Sequence, residues 1–243
     1  MTLDTLLTRL IWIRRAWLGA ALFCGLLHVM AVLIYLYGAW AQFMLLRNGL
    51  AAFSQLNMPM VRLVQFWGSQ LDGILQIARI LCLAVAIVWF WFSGRFAMQA
   101  CPQRKPRFGP WIVAGSWFVP LVNVIVPPMA MMQMARATRL DPLMEEPSPE
   151  RHGRTMTALV FLAHGLYIAT ILLYQFATMQ AMRAAGQPDA LLGLLHLAAA
   201  GGVVTLLWLL ALDAFMRALM AAQETRLARH PLPERPDLTP PAI

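Results

Sequence analysis

The sequence predicts an all-α protein: a polytopic membrane helix bundle of four transmembrane helices plus one proline-broken segment that re-enters the membrane or lies at its surface. Three observations carry this expectation. First, 60% of the 243 residues are apolar and 12% are charged, whereas soluble domains carry about 25% charged residues. Second, the apolar residues gather in runs of the length that crosses a hydrocarbon core of about 30 Å at about 1.5 Å per residue. Third, the basic residues sit at the ends of those runs, where an anionic cytoplasmic leaflet would hold them.

The first run is Trp17 to Ala39, preceded by Arg9, Arg14 and Arg15. Ala39-Trp40-Ala41 resembles a signal cleavage site and Arg14-Arg15-Ala16-Trp17-Leu18 faintly resembles a twin-arginine signal. A signal core spans about 7–15 residues, and this run is longer, so it reads as a retained helix. Residues 40–73 are mixed; Phe43, Leu46, Leu50 and Phe53 fall at helical spacing and fit a helix on the outer membrane surface. The second span is expected from Ile74 or Ile80 to Phe96, bracketed by Arg79 and Arg95, with Trp89 and Trp91 as an aromatic belt.

A short basic loop follows, Cys101-Pro102-Gln103-Arg104-Lys105-Pro106-Arg107. Trp111 to Pro128 is apolar but awkward: Pro120 removes a backbone donor, Asn123 adds an amide, and Pro127-Pro128 is expected to end any helix that reaches it. Met129 to Leu140 reads as a short helix, with Gln133, Arg136 and Arg139 on one side, and Asp141 to Arg154 as a polar loop. Thr157 to Met179 and Leu191 to about Arg217 are the third and fourth spans, separated by the turn Gly186-Gln187-Pro188-Asp189. This divides the chain into a cytoplasmic flank (1–16), a membrane helical domain (17–228) and a proline-rich, disordered tail (229–243).

Charge decides whether the awkward segment crosses. If it returns to the side it entered from and the N-terminus is inside, 15 of the 19 basic residues are cytoplasmic and only Arg47, Arg62, Arg79 and Arg183 face out. If it crosses, the split becomes 8 inside and 11 outside, against the positive-inside rule. The first arrangement is therefore expected, with both termini cytoplasmic. The excess of arginine over lysine, 18 to 1, fits a GC-rich bacterial genome, and the bacterial inner membrane is the expected location. The net charge of +8 does not indicate nucleic acid, since no soluble face is left to carry a basic stripe.

The awkward segment has a recognisable pattern. Phe108-Gly109-Pro110-Trp111-Ile112-Val113-Ala114-Gly115-Ser116-Trp117-Phe118-Val119-Pro120-Leu121-Val122-Asn123, then Pro127, Ala130-Met131 and Arg136-Ala137-Thr138, resembles the signature of a bacterial membrane family, domain of unknown function DUF4328. Upstream, Trp91 and Arg95 resemble that family's Trp-x-x-Arg run, and Gln223-Glu224 resembles its closing pair. The resemblance covers about residues 70–228. Val126 and Met132 depart from it, standing where the family often has a basic and a polar residue. The resemblance implies a multi-helix membrane protein and no known activity.

The chemistry-bearing residues admit several readings. His28, His164 and His196 lie inside spans, where ionisable groups are costly and often functional. Cys24 and His28 share a helix face, and with His164 they are the candidates for a metal or haem site; the other reading has each histidine hydrogen-bonded between helices. No CxxC pair indicates a disulfide or zinc site. Asp213 and Arg217 are spaced as an i,i+4 pair or as part of an ion path. The Pro120–Asn123 break either binds an ion or substrate, as in transporters, or only shapes the fold, with Ser116 or Asn123 bonding a freed carbonyl. Met129, Met131, Met132 and Met134 fit gap filling better than copper binding.

No Walker loop, GxSxG, HExxH or dinucleotide loop occurs. The leading expectation is a non-enzymatic membrane protein, without a cofactor, that assembles with itself or a membrane partner in lipid. A small transporter or channel-like protein built on the break comes second, and a metal- or haem-binding protein third.

Overall fold

A computed structural model describes residues 2–54, 56–100, 106–139, 150–183 and 188–229. The basic loop from Cys101 to Lys105, most of the polar loop after Leu140, the Gly186-Gln187 part of the turn and the tail from Pro231 lie outside the described residues. Among the described residues every regular element is helical: α1 (Leu3–Asn48), a 3-10 stretch (Gly49–Ser54), α2 (Met58–Ala100), α3 (Pro110–Gly115), a second 3-10 stretch (Ser116–Phe118), α4 (Pro120–Arg139), α5 (Glu150–Arg183) and α6 (Pro188–Arg229). Four helices, α1, α2, α5 and α6, contain stretches long and apolar enough to cross a membrane.

Burial is inverted relative to a soluble protein. Leu22, Leu26, Ile77, Phe161, Leu172 and Leu210 are each more than half exposed, while His28, Ser93, Thr205 and Gln223 are fully enclosed. Apolar surface on this scale is stable only where the surroundings are apolar too. The all-α expectation with four apolar helices is therefore met, and the four helices are consistent with a multi-pass membrane protein.

Several helices run past their expected ends, α1 to Asn48, α5 back to Glu150 and α6 on to Arg229, and three further differences have a local cause. α1 starts at Leu3, fourteen residues before the apolar run. Thr2 Oγ1 accepts from the Thr5 amide at 3.3 Å as an N-cap, and Leu6, Leu7 and Leu10 are buried at helical spacing. α2 starts at Met58, well before Ile74, because Asn57 Oδ1 accepts from the Met60 amide at 3.3 Å and Pro59 stands in the first turn, where a missing N–H costs nothing. Between them Gly49 takes φ +55°, the left-handed conformation that closes a helix C-terminus and favours glycine.

The third difference is at Pro127-Pro128, which does not end a helix: α4 runs through both prolines to Arg139. The break falls earlier. Val119 is extended, with φ −104° and ψ 112°, since a residue before proline is pushed out of the helical region. Pro120 then opens α4 as its first residue, where its fixed φ suits a helix start. Both later rings are buried, and the Ala/Met/Gln run that follows has high helix propensity. Those terms offset an interior-proline cost of about 3 kcal/mol each.

The chain groups into two compact units. One comprises Met1–Ile13, Ile87–Ala158 and Phe215–Ile243. Its core is aromatic: Phe90 stacks on Trp117 at 5.6 Å between centroids and tilts against Phe215 at 6.2 Å. Arg226, buried, donates from Nη2 to the carbonyl of Ala100 at 3.1 Å and so closes the C-terminus of α2 with a cation. Gln133 Oε1 accepts from the amides of Arg107 and Phe108 at 2.9 and 3.4 Å, pinning the end of the basic loop to α4.

The other unit comprises Arg14–Ala86 and Leu159–Ala214. Ala31, Ile34, Tyr35, Leu71, Leu75 and Ala199 form its apolar core. Here α6 approaches α1 at Gly202: a Cβ on that residue would lie 2.6 Å from Cγ2 of Val32 and 3.8 Å from the carbonyl oxygen of His28. Small residues at such crossings let helix backbones come close, which is a main source of association between helices in lipid. Val32 is β-branched and stiff at χ1, so it cannot swing clear at no cost. Gly202→Ala is therefore expected to destabilise the protein by about 1–3 kcal/mol in detergent thermal unfolding, with Val32→Ala in the same chain restoring most of the loss. An unchanged midpoint for Gly202→Ala would contradict the contact.

Candidate functional site

Within the second unit, α1 and α2 bring polar residues together at two levels. His28, Ala31 and Tyr35 recur at i, i+3 and i+7 on α1, and Asp72, Leu75 and Arg79 do the same on α2, so each set lies on one helix face. The helices run antiparallel through the Gly49–Ser54 turn, and the two pairs, Tyr35 with Asp72 and His28 with Arg79, are both centred between residues 53 and 54. Tyr35 donates its hydroxyl hydrogen to Asp72 Oδ1. Arg79 donates from Nε to His28 Nε2 at 3.1 Å.

An arginine can only donate, so His28 Nε2 is the acceptor and Nδ1 carries the ring hydrogen. Nδ1 lies 2.7 Å from the carbonyl oxygen of Cys24 and 3.5 Å from its sulfur. Both ring nitrogens of this fully enclosed histidine are thus engaged. The Arg79 guanidinium also lies over the ring of Tyr174 on α5, 5.2 Å from its centroid, a favourable placement for a cation removed from water.

These residues line a cavity of about 360 Å³ together with Thr170 and Thr178 of α5 and Leu195, Ala198, Gly201 and Gly202 of α6. Four helices therefore contribute to one slot whose wall is mostly apolar, with the His28–Arg79 and Tyr35–Asp72 pairs and the hydroxyls of Thr170, Tyr174 and Thr178 as its polar groups. Asp72 and Tyr174 are exposed at its side. Elsewhere in this unit, Arg14 of α1 and Asp213 of α6 form an ion pair at 3.0 Å, both about one-fifth exposed. That inter-helix partner of Asp213 was not foreseen from the i,i+4 spacing to Arg217.

The metal candidates do not converge. Cys24 and His28 are adjacent, but His164 packs near Tyr167, 5.9 Å between ring centroids, and among the described residues no three His, Cys, Asp or Glu side chains could hold an ion together. The ligand set Cys24, His28 and His164 is not assembled, because the hydrogen bonds of His28 to Cys24 and Arg79 occupy the ring.

The family-like motif residues lie in the first unit and have identifiable packing tasks. Gly109, extended at ψ 158°, precedes Pro110 at the first position of α3. A Cβ on Gly94 would lie 3.6 Å from the Pro110 Cα. Arg95 lies over the Trp91 ring at 4.9 Å, and Trp91 meets Trp111 edge-on at 5.5 Å. Trp117 is buried on Phe90, whereas Phe118 is 75% exposed.

At the break after Val119, Asn123 donates from its amide nitrogen to the Trp117 carbonyl at 3.2 Å, and Ser116 Oγ donates to the Val113 carbonyl at 2.9 Å. Pro120 opens α4, Pro127 is buried within it, and Arg136 is exposed on its second half. The Val113 and Trp117 carbonyls next to the break are thus taken up locally. Asn123→Ala is expected to cost about 1–3 kcal/mol, the penalty for stranding a buried carbonyl. Phe118→Ala is expected to change stability by no more than about 0.5 kcal/mol. Equal effects in thermal unfolding would contradict this division of labour.

Sequence reasoning named His28 and Arg79 separately and passed over Tyr35 and Asp72. The signal was present: an aromatic hydroxyl and a carboxylate placed symmetrically about the same turn as the histidine and the arginine. It was hidden because α2 was expected to start near Ile74, which left Asp72 outside the span.

No curated protein and no solved structure matches the chain. The family model described as Domain of unknown function (DUF4328) matches residues 68–221, well over half of the chain, and takes in Trp91, Arg95 and the whole stretch from Gly109 to Arg136. His28 and Tyr35 precede the matched residues, while their partners Arg79 and Asp72 lie within them. The chain belongs to the DUF4328 family.

Proposed function

We propose that this chain is a non-enzymatic multi-pass protein of the bacterial inner membrane, with both termini cytoplasmic, that works by assembling with a second copy of itself or with a partner membrane protein. The observation that supports this reading is the surface of the proline-broken segment. Trp111, Ile112, Phe118, Leu121 and Ile125 are each more than half exposed, on elements of 6, 3 and 20 residues that are not among the four spanning candidates. Around the break, Ser116 and Asn123 donate to the segment's own carbonyls, and these apolar side chains face outward. Such a surface suits acyl chains or another apolar helix.

The charge distribution supports the orientation: with the segment returning to the side it left, 15 of 19 basic residues lie inside. The transporter reading of the Pro120–Asn123 break is not favoured, since Asn123 and Ser116 close that break.

Two measurements test the proposal. A reporter inserted after residue 145 is expected to give a cytoplasmic signal, and an external signal would contradict the orientation. A photocrosslinking residue at Leu121 in native membranes is expected to yield a discrete protein adduct, whose mass separates a second copy from another protein. Adducts with lipid alone would contradict assembly through this face.

A further inference from the structure

The arginine inside the four-helix cavity has no acid within ion-pair distance among the described residues, and the Asp72 carboxylate that shares the cavity is engaged elsewhere. Among the described residues Arg79 makes no ion pair: Nε is given to His28, the guanidinium face lies on Tyr174, and its two terminal nitrogens have no hydrogen-bond acceptor. The acid on the same face, Asp72, is seven residues away, about 10 Å along the helix, and already accepts from Tyr35. His28, which receives Arg79, is the midpoint of the apolar run Trp17–Ala39. The guanidinium is therefore held at the depth of the span's centre. An arginine there remains charged and is retained only where a partner or a wet cavity stabilises it.

The rest of the slot is mostly apolar, with the hydroxyls of Thr170, Tyr174 and Thr178 as its other polar groups. Leu75, Leu173, Leu195 and Ala198 line it, and Gly201 and Gly202 lower the α6 side. A volume of about 360 Å³ is at the small end of ligand pockets, which are mostly apolar with a few polar groups that set orientation.

We infer that this cavity binds an amphiphile with an anionic head, a carboxylate or a phosphate, which bridges the terminal nitrogens of Arg79 while its hydrocarbon lies along α5 and α6. Planar two-point hydrogen bonding to such oxygens is what a guanidinium does best. The His28–Arg79 bond fixes the arginine's direction and leaves those nitrogens for the ligand. The apolar wall requires that the anion be attached to hydrocarbon, which separates a lipid-derived ligand from a free inorganic anion. This inference does not depend on the assembly reading, which concerns a different part of the chain.

The test uses the full chain in nanodiscs of neutral lipid and three diazirine-bearing probes of equal chain length: a fatty carboxylate, the corresponding alcohol and the corresponding primary amine. The carboxylate is expected to label peptides of α5 or α6 that line the cavity, and to bind at least about tenfold more tightly than the alcohol. Arg79→Gln is expected to abolish that preference. Ala198→Leu, which keeps the polar pairs and fills the slot, is expected to reduce labelling by all three probes. The comparison among probes on the unaltered protein stands even if Arg79→Gln fails to fold.

Equal labelling by the three probes, a preference for the amine, or labelling confined to the lipid-facing side would overturn the inference. Inorganic phosphate is expected to compete only weakly; full competition by phosphate at the carboxylate's concentration would overturn the amphiphile assignment.

Discussion

A guanidinium held among helices that cross hydrocarbon is the constraint on which the arrangement of the second unit depends. An arginine at the centre of a spanning helix costs about 2.5–3.5 kcal/mol on insertion scales. The chain meets that cost by giving Arg79 a neutral imidazole acceptor, an aromatic face and a cavity. The acceptor comes from α1, the aromatic face from α5, and the cavity from these together with α2 and α6, so keeping one charge at that depth fixes the mutual placement of several helices. His28 is in turn fixed by its bond to the Cys24 carbonyl one turn back. The Tyr35–Asp72 pair extends the same antiparallel register by two turns.

The same physics governs the first unit through the backbone. Lipid provides no hydrogen-bond partners, so a break in a helix must be closed by the chain itself. The stretch around Val119 does this with the Asn123 amide and the Ser116 hydroxyl, and Arg226 does it for the last carbonyl of α2. With those carbonyls bonded, the segment leaves Phe118 and Leu121 facing outward. The aromatic core under it, Phe90 with Trp117 and Phe215, accounts for why so many family-motif positions are bulky.

Much of the fold was legible because it follows from solvent and period. A run such as Trp17–Ala39 can satisfy its backbone and its side chains together only as a helix in an apolar medium. The break at Pro120 was legible for the same reason: proline acts on its own neighbours. What could not be read depended on competition or on long range. Pro127-Pro128 breaks a helix unless burial and a helix-favouring sequel outweigh it, and burial is a tertiary fact. Arg79 read as a headgroup-seeking flank because a long side chain can turn either way; only the position of His28 on a neighbouring helix decides the direction. Arg14 and Asp213 lie 199 residues apart, beyond any local rule. The site was therefore half visible, with its histidine and arginine seen as separate oddities and its tyrosine and aspartate unnoticed.

The most direct test of this account is the coupling between His28 and Arg79. A double-mutant cycle with His28→Leu, Arg79→Leu and the pair, read as unfolding free energy in lipid or detergent, isolates their interaction. Polar pairs between membrane helices give about 0.6 kcal/mol on average and about 1.7 at most, and a hydrogen bond from a charged group to the enclosed His28 is expected in the upper half of that range. Strictly additive effects would mean that the arginine does not rest on the histidine, and the register of α1 against α2 described above would be wrong.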